Sequence, residues 1–477
     1  MSRWFSDRLV TMSVCTMLVV ALCTITAPTR AHAATGGPAS QPMTLADAVS
    51  RALEHDPSAR ALAEELRIAN SRARLARRDL LPRLTLGYSM MDSVRYAGPD
   101  TSSRRISIGV EQLVTSGGRR RAGHQIESIR ASAVAQEHQE RIRGVTMAAM
   151  EQIARVLIEE MAHNLFMQMH EVAGDQLRIA RAEFALGLVT QSDLTEMELA
   201  VRAVELDAVE SRHSLSGRRA AVRRALGLDP DVVPLFRARV DPDYRGTVDL
   251  EYLRETVSLQ QAAALVRAKA QRDIAEHELR VARSAWLPSL QLGAEAHASG
   301  DQFPLHEPGL SLTGSLRFGA PVLPNDTRVT LGTGAQDERT RALSAAIHPG
   351  DGLNQLPSFA AARLALDQSR AVVTLTRREI ADATSEAIER VELLRARIDL
   401  LRRRLGLQRD ISAIRDVQIR LGEITRIRAL EQDVETARTE VELLRTIAAM
   451  FAAELHLIQL TTPERHPEWL VFLEEEI

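Results

Sequence analysis

Cysteine is almost absent from this chain of 477 residues, and its two copies, Cys15 and Cys23, both lie close to the N-terminus. Neither disulfide bonds nor thiol chemistry can therefore act in the long remainder of the chain. Lysine is also nearly missing, since Lys269 is its only copy, and the net charge is -3. Such a balance gives no strong attraction to nucleic acid. Aromatic residues make up only 3% of the chain, which favours long helices over a β-sandwich.

Proline is absent from residues 119–226, although the chain has 18 prolines in total. Apolar residues recur in this stretch at helical spacing, as at Ile142, Val145 and Ala149. A helix over residues 119–186 would be roughly 100 Å long, which exceeds the depth of an ordinary globular core. Such a helix is typical of a coiled coil, a helical repeat or a spacer across a fixed gap.

The N-terminal segment is typical of a secretory signal peptide, which we assign to residues 1–33. It combines an arginine-containing start, an apolar stretch over residues 9–26 and the small-residue cleavage site Ala31-His32-Ala33. Lipidation of Cys23 is the alternative, but the residue before it is larger than a lipoprotein site requires. A Gly/Pro-rich linker over residues 34–43 follows. No later stretch reaches 18 apolar residues, so no transmembrane helix is expected.

In two stretches the apolar period changes to two residues, which predicts β-strands. In the first, at about residues 83–113, Leu84, Leu86 and Tyr88 alternate with polar or small residues, and a loop separates two strands. The second stretch, at about residues 289–318, shows the same arrangement. The sequence therefore predicts four strands, each with one apolar and one polar face.

The two halves of the chain repeat one another. Leu81-Pro82 recurs 206 positions later as Leu287-Pro288, and Leu186-Gly187 recurs 235 positions later as Leu421-Gly422. The difference, 235 minus 206, places 29 extra residues in the second half, which we assign to an insertion at about residues 319–357. Each repeat is predicted to contain a helix, two strands, a long helix, a glycine break and a second helix. The first repeat is predicted over 44–228, with a helical hairpin at about 119–226. A connector over 229–249 leads to the second repeat over 250–460, with a helical hairpin at about 358–458. A C-terminal tail over 461–477 follows.

Two-faced strands of this kind are typical of transmembrane barrels. Four strands cannot close a barrel alone, because the smallest single-chain barrels have about eight. Since an open sheet edge cannot lie in lipid, several chains must share one barrel. Three chains would supply roughly twelve strands, with the helices continuing as a tube whose wall is made of coiled-coil pairs. The fold class predicted is therefore mainly α with a transmembrane β portion. In a secreted protein this indicates a bacterial outer membrane, and a helix of roughly 100 Å fits the depth of the periplasm.

Four motifs make the chain resemble the TolC-type outer-membrane efflux protein family. They are Thr44-Leu45-Ala46-Asp47-Ala48, Leu81-Pro82, Thr115 to Arg121, and Phe184 to Val189. The resemblance covers nearly the whole chain after the signal peptide, in the right order and twice. It implies a homotrimer with a long α-barrel and a twelve-stranded β-barrel in outer-membrane lipid. It further implies docking to a periplasmic adaptor (membrane fusion) protein and an inner-membrane pump.

The resemblance also implies two kinds of site. The family's docking tips lie at the glycine breaks, so an adaptor is expected to contact Leu186, Gly187, Leu188, Leu421, Gly422 and Glu423. The alternative is that these glycines only end helices. In some members an aspartate beyond the first tip pairs with residues near the second and closes the tunnel. The matching gate candidates are Asp193, Arg420 and Arg426. For Asp193, a plain helix N-cap is the alternative.

No phosphate loop, catalytic triad or zinc-site spacing occurs in the chain, so we expect neither an enzyme, a cofactor nor a resident metal. The leading hypothesis is the outer-membrane exit duct of a tripartite efflux system, which passes small molecules from periplasm to exterior. One alternative is the same duct serving type I protein secretion. The other is a periplasmic coiled-coil scaffold that carries a small sheet. Nucleic acid is not expected as a partner.

Overall fold

The computed structural model describes residues 40–93, 101–246, 248–251, 262–318, 325–333, 339–347, 353, 355–420, 424–461 and 473–475. The predicted signal peptide, residues 1–33, and residues 34–39 of the predicted linker lie outside this described part. Among the described residues, no helix combines the length and the apolar character needed to cross a membrane.

Four helices of the first repeat form where the sequence predicts them. Thr44 caps the first of them, because its Oγ1 accepts a hydrogen bond from Asp47 N at 3.1 Å. Pro57 occupies the first turn of the second, where a missing N–H costs nothing. These helices are α1 (Leu45–His55), α2 (Pro57–Arg78), α3 (Arg119–Ala185) and α4 (Gln191–Leu226).

Asp56 joins the cap of α2 to the side of α3. Its Oδ1 accepts from Ser58 Oγ at 2.5 Å and Ala59 N at 2.7 Å, and its Oδ2 accepts from Arg141 Nη2 at 2.7 Å. Burial raises the pKa of this carboxyl, but the three hydrogen bonds and the charge of Arg141 outweigh burial. The pKa of Asp56 is therefore lowered from 3.8 to about 2.

The second repeat has the same helices with nearly the same lengths. They are α5 (Ala263–Ser284), α6 (Gln355–Arg420) and α7 (Arg426–Thr461). α5 and α2 each have 22 residues, α6 has 66 residues against 67 in α3, and α7 and α4 each have 36. The duplication predicted from the sequence is confirmed, as is a helix roughly 100 Å long in each repeat.

The main hydrophobic core lies where helices of both repeats meet. It contains Leu45 of α1, Ile153 of α3, Leu226 of α4, Ile398 of α6 and Phe451 of α7. Ile153 is fully buried and Phe451 is 1% exposed. Because each long helix reaches this core only with its middle section, the repeats are fixed together there and extend from it in both directions.

Short strands form in three regions where the sequence predicted only a linker, a connector and a tail. The connector 229–249 contains β4 (Val233–Phe236) and β5 (Ala238–Val240). β1 (Ser40–Met43) pairs with β4, and β10 (Leu473–Glu475), in the tail, pairs antiparallel with β5. Strands of three or four residues are too short to show a period-two pattern, which explains why the sequence did not reveal them.

The four predicted long strands are present and belong to one antiparallel sheet. They are β2 (Arg83–Ser93), β3 (Thr101–Ser116), β6 (Ser289–Gly300) and β7 (Glu307–Phe318). β3 pairs with β6, so the strand pairs of the two repeats lie side by side. A register shift between Leu113 and Thr115 interrupts this pairing just before α3 begins.

The strand count is corrected by the structure from four to six. The predicted insertion, 319–357, contains β8 (Asn325–Thr333) and β9 (Arg339–Ile347), and the sheet order is β2-β3-β6-β7-β8-β9. The sequence predicted an insertion rich in proline and glycine in this region and assigned no strands to it. Those prolines and glycines lie mainly at the borders of a hairpin, whose polar and apolar residues alternate clearly only over Arg328 to Leu331.

Candidate functional site

The sheet is exposed on both faces, and one face is apolar. In the isolated chain Leu86 of β2 is 77% exposed, Leu312 of β7 is 48% exposed and Leu343 of β9 is 74% exposed. Large apolar side chains on β2, β3, β6, β7, β8 and β9 contribute to this face. Exposing so large an apolar surface to water is unfavourable, so this face of the sheet is suited to contact with lipid.

The opposite face of the sheet is polar, and its side chains bond across strands. Gln291 Nε2 of β6 donates to Glu111 Oε2 of β3 at 3.1 Å. Arg317 Nη2 of β7 donates to Asp326 Oδ2 of β8 at 2.9 Å. The sheet therefore separates an apolar from a polar surface, as the wall of a water-filled pore requires.

The first predicted tip ends the long helix α3 at its far end from the sheet. Gly187 has φ +73°, the left-handed conformation that glycine adopts without strain. Leu188 N donates to Glu183 O and Gly187 N donates to Phe184 O, both at 2.9 Å. This pair of bonds is the Schellman arrangement, which reverses the chain within a few residues and lets α4 return beside α3.

The two leucines beside Gly187 project from the turn. Leu186 is 74% exposed and Leu188 is 73% exposed. The Schellman arrangement explains why the helix ends here, but it does not require that both flanking residues be large and apolar. Their exposure at the end of a helix of roughly 100 Å forms a small apolar surface suited to a protein partner.

Asp193, a predicted gate candidate, caps the helix that follows the tip. Its Oδ2 accepts from Thr190 N at 3.1 Å and from Thr190 Oγ1 at 2.7 Å, while Asp193 N donates back to Thr190 Oγ1 at 3.2 Å. This is a capping box at the start of α4. The hydrogen bonds from the Thr190 side chain and backbone lower the pKa of Asp193, so the carboxylate is charged at neutral pH.

The second hairpin supplies the other candidates. Leu421, Gly422 and Glu423 lie outside the described residues, as does the side chain of Arg420. Arg426 begins α7, and its Nε and Nη2 lie 3.1 Å and 3.0 Å from Glu183 Oε1, at the end of α3. The structure therefore brings Arg426 to Glu183, which sequence reasoning did not single out.

Two further ion pairs join the first hairpin to α7. Arg438 Nη2 lies 2.7 Å from Asp207 Oδ2 of α4, and Arg445 Nη2 lies 2.9 Å from Glu159 Oε2 of α3. The Glu159 side chain is only 7% exposed. Sequence reasoning missed these pairs. The available signal was that Arg438 and Arg445 are seven positions apart, which places both on one face of a helix.

The chain was compared with proteins of known structure. It is similar to the outer membrane protein VceC from Vibrio cholerae at 15% identity, with a TM-score of 0.67 over 87% of this chain and 95% of that chain. It is similar to the open state of the MtrE outer membrane channel of Neisseria gonorrhoeae at 13% identity, with a TM-score of 0.68 over 87% and 88%. It is similar to the CmeC outer membrane channel of Campylobacter jejuni at 13% identity, with a TM-score of 0.65 over 87% and 85%. At such identities the similarity shows a shared fold.

Fold and faces together define a class of protein: a subunit of a bacterial outer-membrane channel that continues as a long helical tube. Residues 48–228 match the family model described as outer membrane efflux protein. Over this part of the chain, the resemblance predicted from the sequence is confirmed. The family consists of channels rather than enzymes, in agreement with the prediction. Among curated protein sequences, none matches the chain significantly.

Proposed function

We propose that three copies of this chain form the exit duct of a tripartite efflux system, which passes small molecules through the outer membrane. In this assembly the apolar sheet face meets lipid and the polar face lines the pore. The helices extend the duct across the periplasm towards an adaptor and an inner-membrane pump. The observation that carries the proposal is the helix α3, roughly 100 Å long, which leads from the two-faced sheet to the exposed leucine tip.

Docking at the first tip follows from the exposure of its leucines. Complete burial of a leucine side chain contributes about 1.5–3 kcal/mol. Since Leu186 and Leu188 are each about three-quarters exposed, their burial by an adaptor would contribute about 3 kcal/mol together. Replacing both with aspartate would weaken the contact by about 100-fold or more. We include Leu421, Gly422 and Glu423 in the proposed docking surface because they repeat the first tip in sequence.

The experiment is complementation of a deletion strain, tested for sensitivity to a panel of drugs, dyes and metal ions. The deletion should increase sensitivity, and the native chain should reverse it. The variant L186D/L188D should reach the outer membrane in normal amounts yet fail to complement. The matched control L186M/L188M keeps the apolar surface and should complement.

Other outcomes would contradict the proposal in distinct ways. Full complementation by L186D/L188D would show that this tip does not bind the partner. Unchanged sensitivity together with the loss of a secreted protein would favour the type I secretion duct. Recovery of the mature chain as a soluble periplasmic protein without detergent would favour the scaffold.

The gate residues are part of the same proposal. Asp193 follows the first tip in sequence, and Arg420 and Arg426 flank the second, where a narrow closure would restrict ion flow. In planar bilayers, R426A is expected to raise the conductance of the purified channel. If Arg426 acts through the ion pair with Glu183, the variant E183Q should reproduce that increase; if it acts through Asp193, D193N should do so instead. No increase in any of these variants would remove these residues from the gate.

A further inference from the structure

The β8–β9 hairpin extends the sheet at the edge of β7. β7 pairs with β8 over nine positions, from Leu310 with Thr333 to Phe318 with Asn325. β8 pairs with β9 over nine positions as well. The first repeat has no matching segment, since β3 leads almost directly into α3. The edge of β7 that faces away from β6 is therefore occupied within the chain by β8.

The hairpin continues both faces of the sheet, except that Arg339 and Arg341 lie on the apolar face at the start of β9. On the apolar face, Leu312 of β7 lies opposite Leu331 of β8, and Val329 of β8 lies opposite Leu343 of β9. On the polar face, Arg317 bonds to Asp326 across β7 and β8. A hairpin belonging to a separate soluble element would not need to match lipid-facing and pore-facing positions in this way.

We propose that the trimer closes its barrel by pairing β9 of one copy with β2 of the next copy. This inference rests on the proposed trimeric duct. Each copy then contributes six strands, so three copies form a barrel of eighteen rather than the expected twelve. Diameter grows roughly in proportion to strand number, so the barrel would be about 1.5 times as wide as one of twelve strands.

Three observations support β9 and β2 as partners. They are the two end strands of the sheet, and every residue of each is exposed in the isolated chain. Neighbouring strands of the sheet are antiparallel and four strands lie between β2 and β9, so these two strands run in opposite directions. Pairing between β9 of one copy and β2 of the next would therefore also be antiparallel. An unpaired edge in lipid would leave backbone N–H and C=O groups without partners, which only closure avoids.

The test is disulfide crosslinking of the full chain in outer membranes. Both natural cysteines lie in the predicted signal peptide, so the background has no competing thiol. One cysteine is placed on the polar face of β2 and one on the polar face of either β9 or β7, and several registers are sampled. The positions are Thr85 and Ser89 on β2, Ala342, Ser344 and Ala346 on β9, and Ser311, Thr313 and Ser315 on β7.

At least one β9–β2 pair should give covalent dimers and trimers on non-reducing gels, because directly opposed strand residues lie within disulfide reach. All β7–β2 pairs should remain monomeric on the same gels. The double variant S315C/R328C, whose residues are opposite one another in β7 and β8, should close a bond within one chain.

The opposite pattern would overturn the inference: chains linked through β7 and β2, with no linkage through β9. Linkage through neither strand, in samples that still migrate as unheated trimers, would also overturn it. Absence of any trimer would instead contradict the proposed duct, so the two failures are distinguishable.

Discussion

Glu454 offers the sharpest test of how the middle of the molecule is held together. This residue of α7 has a side chain that is only 3% exposed. Its Oε1 accepts from Arg395 Nη2 of α6 at 2.8 Å, and its Oε2 accepts from Tyr244 Oη of the connector at 2.6 Å. Arg395 Nη2 also donates to Val248 O at 2.7 Å. The carboxylate therefore ties the connector between the repeats to both helices of the second hairpin.

The size of the effect follows from burial. Removing one partner of a buried ion pair costs about 3–5 kcal/mol, because the remaining charge and hydroxyl each lose the carboxylate oxygen to which they donate. Since the Arg395 side chain is 30% exposed and water can reach part of it, we expect about 3 kcal/mol for E454A. A chain of 477 residues unfolds with an entropy of about 1 kcal/mol/K, so Tm should fall by about 3 °C.

The matched control lies on the same helix. Glu442 pairs with Arg397 at 2.6 Å, but the two side chains are 42% and 57% exposed. Such a surface pair contributes about 0–1 kcal/mol, so E442A should lower Tm by less than about 1 °C. The measurement is thermal unfolding of the purified trimer in detergent, followed by circular dichroism at the helical band. Equal shifts for E454A and E442A would refute the reasoning that burial decides the contribution of these pairs.

Three further predictions concern single positions. Gly187→Ala should destabilise the first tip by about 1–2 kcal/mol, because Gly187 has a positive φ, and it should reduce complementation. The control Gly217→Ala lies in open space on α4 and should raise Tm slightly. Equal effects in the two variants would contradict this prediction. Gly117→Ala should lower the yield of trimer in the membrane, because Gly117 has φ +63° and an added Cβ would lie 2.7 Å from Leu287 Cβ; normal yield would show that the turn between β3 and α3 adapts. The lowered pKa of Asp56 should contribute about 2 kcal/mol to the free energy of unfolding above pH 4, and this contribution should be lost as pH falls from about 4 to 2. The variant D56N lacks this titration, so the difference in Tm between it and the native chain should shrink by about 2 °C over that range. A constant difference in Tm would contradict the assignment.

Much of the helical part was predictable because its signals are local. Thr44 and Pro57 indicate where helices begin, and Gly187 indicates where one ends. The recurrence of Leu81-Pro82 and of the glycine break predicted the duplication without any structure. In contrast, the hairpin of β8 and β9 was missed because its flanking prolines and glycines dominated a segment whose alternation is short.

The sequence alone determined the length of each long helix, the two faces of the strands and the order of the duplicated elements. Periodicity and caps act over a few residues, so they can be read without knowing what packs against them. Only the tertiary structure decided that β3 pairs with β6, that β8 covers the edge of β7, and that Arg445 meets Glu159. Those partners are far apart along the chain, and many arginines and strand edges could have satisfied each of them. The native pairing is the one in which the buried apolar and charged groups of the whole chain find their partners at the same time.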